Sequence, residues 1–172
     1  MSNRKPTTDL ERREKEGSIY EGEERVITFR AATFQLIMEK VRDMAGSVVA
    51  KTIFYQLGIA IGRRAFEYSK AEGNTSDDMA KAIDSVLGLR GWGRVASLTK
   101  TEASNTVTYE YTFRECIICH KYTAQEPICD VVRGIFVGWL ENFLGKKANS
   151  STETECRATG KNFCIFDITF AK

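Results

Sequence analysis

Residues 153–168 have the sequence ETECRATGKNFCIFDI, and they decide how the rest of this 172-residue chain is interpreted. Two short runs of β-type residues flank residues 159–162, TGKN, whose glycine can adopt the positive φ that a tight reversal requires. A reversal centred on Gly160 places Cys156 and Cys164 opposite each other. Because directly opposed residues have Cβ atoms about 4.5–5.5 Å apart, the two thiols can share one metal ion. The alternative is a pair of small buried core residues, which is common for free cysteine.

Glu153 is the third candidate donor of this hairpin. It precedes Cys156 by three residues, so a regular strand directs the two side chains to opposite faces of the sheet. A bulge or a twist must therefore interrupt the strand if this carboxylate is to join a site with the cysteines.

The hairpin resembles the C-terminal signature of the 4-vinyl-reductase (V4R) domain family, in which Glu-x-x-Cys precedes a glycine turn and a second Cys-x-Phe. Upstream, residues 127–145, PICDVVRGIFVGWLENFLG, resemble the helix that leads into the family's hairpin. Residues 91–93, GWG, resemble the turn into its first sheet strand. The resemblance covers roughly residues 26–170 and is strongest toward the C-terminus.

This resemblance implies a zinc site. In phenol-sensing members of the family, a helix cysteine binds zinc together with the glutamate and both cysteines of the hairpin. Carried across position by position, the ligands here are Cys129, Glu153, Cys156 and Cys164. Three thiolates and one carboxylate form a tetrahedral zinc set without an open position, so the ion would be structural and folding would depend on metal.

A second candidate site lies in residues 116–120, CIICH. The spacing matches the attachment motif of c-type haem, but that attachment normally occurs in exported proteins, and residues 1–24 contain no apolar signal core. The alternatives for Cys116 and Cys119 are a redox-sensing pair, ligands of an iron–sulfur cluster, or buried thiols without a further role. At the end of a predicted strand, alternation directs them to opposite faces. His120 is the only histidine, which excludes multi-histidine metal sites.

Composition sets outer limits on class and location. With 42% hydrophobic and 28% charged residues, the chain is expected to be one soluble domain. A net charge of +2 gives no bulk electrostatic reason to bind nucleic acid. Five cysteines, an odd number, argue against a disulfide framework. Since no run reaches the roughly 18 apolar residues that a membrane-spanning helix needs, we expect a cytoplasmic protein.

Periodicity predicts an α+β fold in a single domain, with an antiparallel sheet of about four strands and helices packed on it. Residues 1–24 are predicted to be a flexible lead, and residues 25–172 the ligand-binding domain, which begins with a short strand at 25–29. Residues 73–78 are predicted to contain the end of the helix over 47–70 and the N-cap candidates of the helix that starts at residue 79. Helices are predicted over residues 31–44, 47–70, 79–87 and 128–144, and strands over 94–118 and in the closing hairpin. The resemblance implies the fold shared by V4R domains, haem nitric-oxide sensor domains and TRAPP transport-complex subunits.

Gly58 and Gly62 lie next to the apolar stripe of the predicted helix over residues 47–70. Small residues four positions apart let another backbone approach closely, and in soluble proteins that contact is usually made within the chain. The alternative is a dimer interface, and the resemblance favours a homodimer.

The function predicted from these features is a non-enzymatic, zinc-stabilised module that binds or senses a small molecule. The resemblance implies a small hydrophobic or aromatic ligand in a cavity between helices and sheet, and it favours a homodimer. Such a module would act alone or with a regulatory protein as partner. No local motif assigns the residues of that pocket. One alternative is a redox, iron–sulfur or haem sensor that uses Cys116, Cys119 and His120. Another, suggested by the family name alone, is an enzyme or accessory protein of tetrapyrrole metabolism.

Overall fold

Helices and two antiparallel sheets make up the part of the chain that the computed structural model describes, residues 10–71, 78–88 and 90–172. In chain order the elements are β1 (Leu10–Arg13), β2 (Ser18–Glu21), β3 (Glu24–Val26), α1 (Ala31–Ala45), α2 (Ser47–Ala71), α3 (Met79–Leu87), β4 (Arg94–Glu102), β5 (Thr106–Arg114), α4 (Asp130–Leu144), β6 (Ser150–Glu155) and β7 (Cys164–Ala171). The first three strands form a small sheet, and the main sheet has the order β4-β5-β7-β6. The predicted α+β class is confirmed.

Strand alternation produces the apolar face on which α4 packs. Tyr109, Tyr111 and Phe113 are buried on one face of β5, whereas Glu110 between them is exposed. From α4, the Phe136 ring stacks on Tyr111 with ring centroids 4.3 Å apart. Most of α4 is buried, because the sheet covers one side and α2 covers another.

The crossing of α2 and α4 depends on four glycines. Gly58 and Gly62 of α2 face Gly134 and Gly138 of α4, and a Cβ at Gly58 would collide with the carbonyl oxygen of Val131. The two backbones therefore approach more closely than larger side chains would permit. The close packing predicted for Gly58 and Gly62 occurs within this chain.

The observed helices follow the predicted periodicity closely. Three helices begin at the predicted residue, and α4 begins two residues later, at Asp130. The Asp78 side chain caps α3 by accepting a hydrogen bond from the N–H of Lys81 at 3.1 Å. The helix end and the other caps expected at residues 73–77 lie outside the described residues.

The N-terminal segment differs from the flexible lead predicted for residues 1–24. Residues 1–9 are outside the described part of the chain, but residues 10–26 form the small sheet of β1, β2 and β3. Gly17 and Gly22 each have a φ of 62°, which permits the two reversals between these strands. The small sheet buries almost none of its side chains, so its sequence shows little of the apolar alternation that identifies a strand. The strand expected at residues 25–29 corresponds to β3, which ends at Val26.

No helix within the described ranges is both long and apolar enough to cross a membrane.

Candidate metal centre

All five cysteines of the chain meet in one buried cluster, although they come from four separate parts of the sequence. Even the most accessible of them, Cys119, is only 7% exposed. Cys119 Sγ lies 3.2 Å from Cys129 Sγ, 3.5 Å from Cys164 Sγ and 3.6 Å from Cys156 Sγ. Cys129 Sγ is 3.6 Å from Cys116 Sγ and 3.8 Å from both hairpin thiols.

The hairpin between β6 and β7 provides two of these thiols. A 3₁₀ turn over residues 157–159 and the left-handed Gly160, with a φ of 89°, reverse the chain between Cys156 and Cys164. The Arg157 N–H points to Cys164 Sγ at 3.5 Å, and that thiol is fully buried. The turn centred on Gly160 that the sequence predicts is therefore present.

A strand irregularity brings Glu153 to the same cluster. Glu153 pairs with Phe166, but Glu155 already pairs with Ile165, so the register shifts between them. Through this shift Glu153 Oε2 reaches the Cys129 N–H at 2.8 Å, while its Oε1 is buried and has no hydrogen-bond partner. The irregularity that the sequence argument required for Glu153 is thus found.

The CIICH segment differs from its prediction in one respect. Cys116 and Cys119 were expected on opposite faces because the strand was assumed to continue through them. In fact β5 ends at Arg114, Glu115 has a φ of 52°, and residues 117–119 form a 3₁₀ turn. That turn directs both thiols into the cluster. His120 is exposed, and it belongs to neither set of metal donors found among the described residues.

Two sets of four donors can hold a metal ion, and in each set the ligand atoms all lie within 4.8 Å of one another. One is the set implied by the resemblance, Cys129, Glu153, Cys156 and Cys164. The other consists of Cys116, Cys119, Cys129 and Cys164. Because zinc–sulfur bonds are about 2.3 Å, the sulfurs of a tetrahedral site are about 3.8 Å apart, and the observed sulfur spacings are close to that value.

The electrostatics of the cluster favour a cation. Burial raises the pKa of Cys129, and burial followed by the nearby Cys156 raises the pKa of Glu153 to about 10. The nearby cations of the hairpin are already paired, Arg157 with Glu115 at 3.3 Å and Lys161 with Glu155 at 3.5 Å. A bound divalent cation would supply the positive charge that stabilises several thiolates in this position.

Three cavities of ligand size lie outside the thiol cluster in the described part of the chain. The largest, about 370 Å³, lies between β4, β5, the end of β7 and the C-terminal end of α4. The second, about 340 Å³, lies between α2, α3 and the turn before β4. The third, about 230 Å³, lies between α1, α2 and residues 122–130, and it has more charged residues in its wall than the second. Sequence reasoning assigned none of them, because their walls come together only when separate elements pack and no local motif marks them.

The chain is similar to known proteins in sequence and in fold. Residues 109–170 match the family model of the V4R domain, which confirms the resemblance noted in the sequence. The chain is 24% identical over 159 residues to the transcriptional regulatory protein XylR of Pseudomonas putida, an alignment that covers 87% of this chain and 28% of XylR. It is 32% identical over 118 residues to the uncharacterized protein MJ0855 of Methanocaldococcus jannaschii, covering 67% of this chain and 44% of that protein. The chain thus spans less than half the length of either relative.

Solved structures share the fold. The phenol-responsive sensory domain of the transcription activator PoxR, solved with phenol, superposes with a TM-score of 0.73 at 23% identity, covering 93% of this chain and 84% of that domain. A vinyl-4-reductase family protein from Methanocaldococcus jannaschii superposes with a TM-score of 0.54 at 18% identity, covering 88% and 85% of the two chains. At sequence identities of 23% and 18%, these structural similarities establish the fold alone.

Proposed function

We propose that this chain, whose residues 109–170 match the V4R domain, is a zinc-stabilised sensory module for a small aromatic molecule. The observation that carries the proposal is the convergence of Cys129, Glu153, Cys156 and Cys164 within 4.8 Å on the fold of a phenol-responsive domain. PoxR and XylR are transcription regulators, which supports a role in regulation.

Zinc has a structural role in this proposal. Cys129, Cys156 and Cys164 provide three thiolates, and the resemblance gives Glu153 as the fourth ligand. The ion would join the start of α4 to both strands of the closing hairpin, elements that lie far apart in the sequence. With four protein donors no position is open for substrate, so the site stabilises the fold and does not catalyse.

The metal assignment is tested by metal analysis of the full chain purified without oxygen. We expect about one zinc per chain and a colourless protein. Zinc should be absent from Cys156→Ser. The control variant Ser85→Ala removes a hydroxyl that donates a hydrogen bond to the Ala82 carbonyl, and it should retain zinc. A wild-type chain that contains no metal would refute the zinc site.

For the ligand, the 340 Å³ cavity is the best candidate. Ile61, Ala65, Val86, Leu87 and Trp92 contribute apolar wall, and the volume lies within the usual range for small-molecule pockets. Arg64 and Arg90 lie at the same cavity, and both guanidinium groups pack over the Tyr68 ring. An apolar cavity beside an aromatic ring and cations suits a planar ring with one polar substituent.

Phenol is the probe for this pocket, because it is the ligand of the structurally similar PoxR domain. We expect phenol to change the tryptophan fluorescence of the wild-type chain through Trp92. Ala65→Leu fills the cavity and should weaken phenol binding at least about tenfold, the equivalent of about 1.4 kcal/mol. The matched control, Ala103→Leu, changes an exposed residue and should bind as the wild type. Equal phenol affinity in all three proteins would show that phenol does not bind in the 340 Å³ cavity.

A dimer is the second part of the proposal, and an apolar surface on α1 and α2 supports it. Met44 is 87% exposed and Val48 is 80% exposed, an unusual state for large apolar side chains on neighbouring turns. The exposed apolar side chains of this surface are Leu36, Ile37, Met44, Val48, Val49, Ile53 and Leu57. A two-fold dimer would bury such a surface against its own copy.

Sedimentation of the full chain tests the dimer. Wild type is expected to be dimeric, and Val48→Lys should shift it to monomer, because a buried unpaired charge opposes association. Thr99→Lys adds the same charge at an exposed strand position and should leave the dimer intact. A monomeric wild type would overturn this part of the proposal.

A redox or iron–sulfur sensor is the competing function, and the entry of Cys116 and Cys119 into the cluster favours it. Against it, sulfurs 3.2–3.8 Å apart suit one ion, whereas a multi-iron cluster spreads its ligands around a larger core. Visible absorbance with iron in the anaerobic protein would support the competing function.

A further inference from the structure

We infer that Cys119 supplies the fourth thiolate of the metal centre, so that one ion is held by Cys119, Cys129, Cys156 and Cys164. This inference rests on the proposed zinc site and replaces one of its ligands, Glu153, with Cys119. Five thiols and one carboxylate surround a site that offers four positions to a tetrahedral ion.

The sulfur positions provide the main support. Cys119 Sγ is within 3.2–3.6 Å of Cys129, Cys156 and Cys164, and Cys129 Sγ is 3.8 Å from both hairpin thiols. The remaining pair, Cys156 and Cys164, lies within 4.8 Å. A tetrahedral zinc ion with bonds of about 2.3 Å requires six sulfur–sulfur edges of about 3.8 Å. These four thiols therefore approximate a complete tetrahedron, and small side-chain movements would complete it.

Glu153 already has another role in this arrangement. Its Oε2 accepts a hydrogen bond from the Cys129 N–H at 2.8 Å, which fixes the residue that carries one of the thiolates. Carboxylates that hold ligand residues in place commonly surround metal sites. Its Oε1 is buried without a hydrogen-bond partner, so Glu153 is the direct rival of Cys119 for the fourth position. Thiolate is the softer donor, and replacing a carboxylate with it favours zinc and other thiophilic ions.

Cys116 provides a matched control within the same motif. Its Sγ is 3.6 Å from Cys129, and it belongs with Cys119, Cys129 and Cys164 to a donor set that lacks Cys156. Cys116 and Cys119 are both buried thiols of one CxxC segment, so serine substitutions at the two positions impose similar chemical changes.

X-ray absorption at the zinc edge of the zinc-loaded full chain tests the inference. We expect four sulfur neighbours at about 2.3 Å in the wild type, and also in Cys116→Ser and in Glu153→Gln. Cys119→Ser should change the shell to three sulfurs and one lighter atom. With cobalt in place of zinc, the sulfur-to-metal absorbance of Cys119→Ser should fall by about one quarter, since one of four thiolates is lost.

The outcomes separate this inference from the zinc site itself. A wild-type shell of three sulfurs and one oxygen, altered by Glu153→Gln and unchanged in Cys119→Ser, would overturn the inference and leave the zinc site in place. A chain that takes up no zinc would refute the zinc site. If Cys119→Ser fails to fold, the zinc-edge spectrum of Cys116→Ser still tests whether Cys119 is a ligand. The chain has five cysteines, so four sulfurs around zinc in that variant must come from the other four.

Discussion

Helix α4 is held in two different ways along its length. At its N-terminal end, Cys129 lies in the thiol cluster and its N–H binds Glu153. One and two turns further on, Gly134 and Gly138 pack backbone to backbone against α2. The second contact needs only complementary shape, whereas the first gathers buried donor groups, and burial raises the pKa of two of them, Cys129 and Glu153. One helix thus combines a contact that should be independent of metal with one that should depend on it.

The largest expected effect comes from Gly134→Val in the packing region. A Cβ there would collide with the Tyr55 carbonyl oxygen, and a backbone group cannot move aside as a side chain can. We expect more than about 3 kcal/mol of destabilisation, with or without zinc, measured by urea unfolding. Glu67→Val, which places the same residue on the exposed side of α2, should cost less than about 1 kcal/mol. Comparable losses in the two variants would show that the close crossing is not needed.

Removal of zinc should also lower the stability of the domain, because it loosens the end of α4 that carries Cys129. At free zinc 100-fold above the dissociation constant, binding contributes about 2.7 kcal/mol to stability. For a domain of this size we expect a chelator to lower the Tm by roughly 6–11 °C. Differential scanning calorimetry with and without chelator measures the shift, and Cys156→Ser should show none. An unchanged wild-type Tm would mean that packing alone holds both ends of α4.

The pKa of Glu153 predicts a pH effect in the metal-free protein. Burial raises this pKa to about 10, so the folded state keeps a proton that the unfolded state releases above about pH 4.5. Stability should therefore fall as pH rises between these values, by up to about 1.4 kcal/mol per pH unit. Glu153→Gln removes this proton and should be the less pH-sensitive protein when unfolding is followed at pH 5, 6.5 and 8. Parallel pH profiles of the wild type and Glu153→Gln would contradict the raised pKa of the buried Glu153 carboxyl group.

The smallest expected effect concerns Arg133, which lies between the two regions. Its guanidinium bonds Asp130 at 2.8 Å and the Ser151 carbonyl at 3.0 Å, and it packs over the Tyr55 ring. Arg133→Lys keeps the charge but loses the planar fork, which should cost about 1 kcal/mol in urea unfolding. Arg63→Lys, at a more exposed ion pair with Glu141, should change stability by less than about 0.5 kcal/mol. Equal effects would show that Arg133 is an ordinary surface arginine.

Much of the fold was predictable because it depends on local pattern. The predicted starts of α1, α2 and α3 match the structure, and the alternation of Tyr109, Tyr111 and Phe113 is the local pattern that places them together on the buried face of β5. The small N-terminal sheet was missed because its strands are rich in charged residues and show no apolar alternation; only Ser18 among their residues is buried. The 340 Å³ cavity was also missed, since no segment alone contains its walls.

For the candidate site, the sequence and the V4R resemblance supplied Cys129, Glu153, Cys156 and Cys164 and the need for an irregular β6. Neither gave a place to Cys119 in this cluster. The direction of the Cys119 side chain depends on where β5 ends and on the positive φ of Glu115. Residues other than glycine seldom adopt a positive φ, so the sequence gives little sign of it.

The sequence by itself determined the helices, the strand alternation, the turn at Gly160 and the supply of thiols, because each depends on neighbouring residues and on elementary backbone geometry. Only the tertiary structure decided that five cysteines from four segments share one buried point, and that Gly58 and Gly62 meet Gly134 and Gly138 of the same chain. Distances between residues remote in sequence depend on how whole elements pack, and local periodicity carries no record of them.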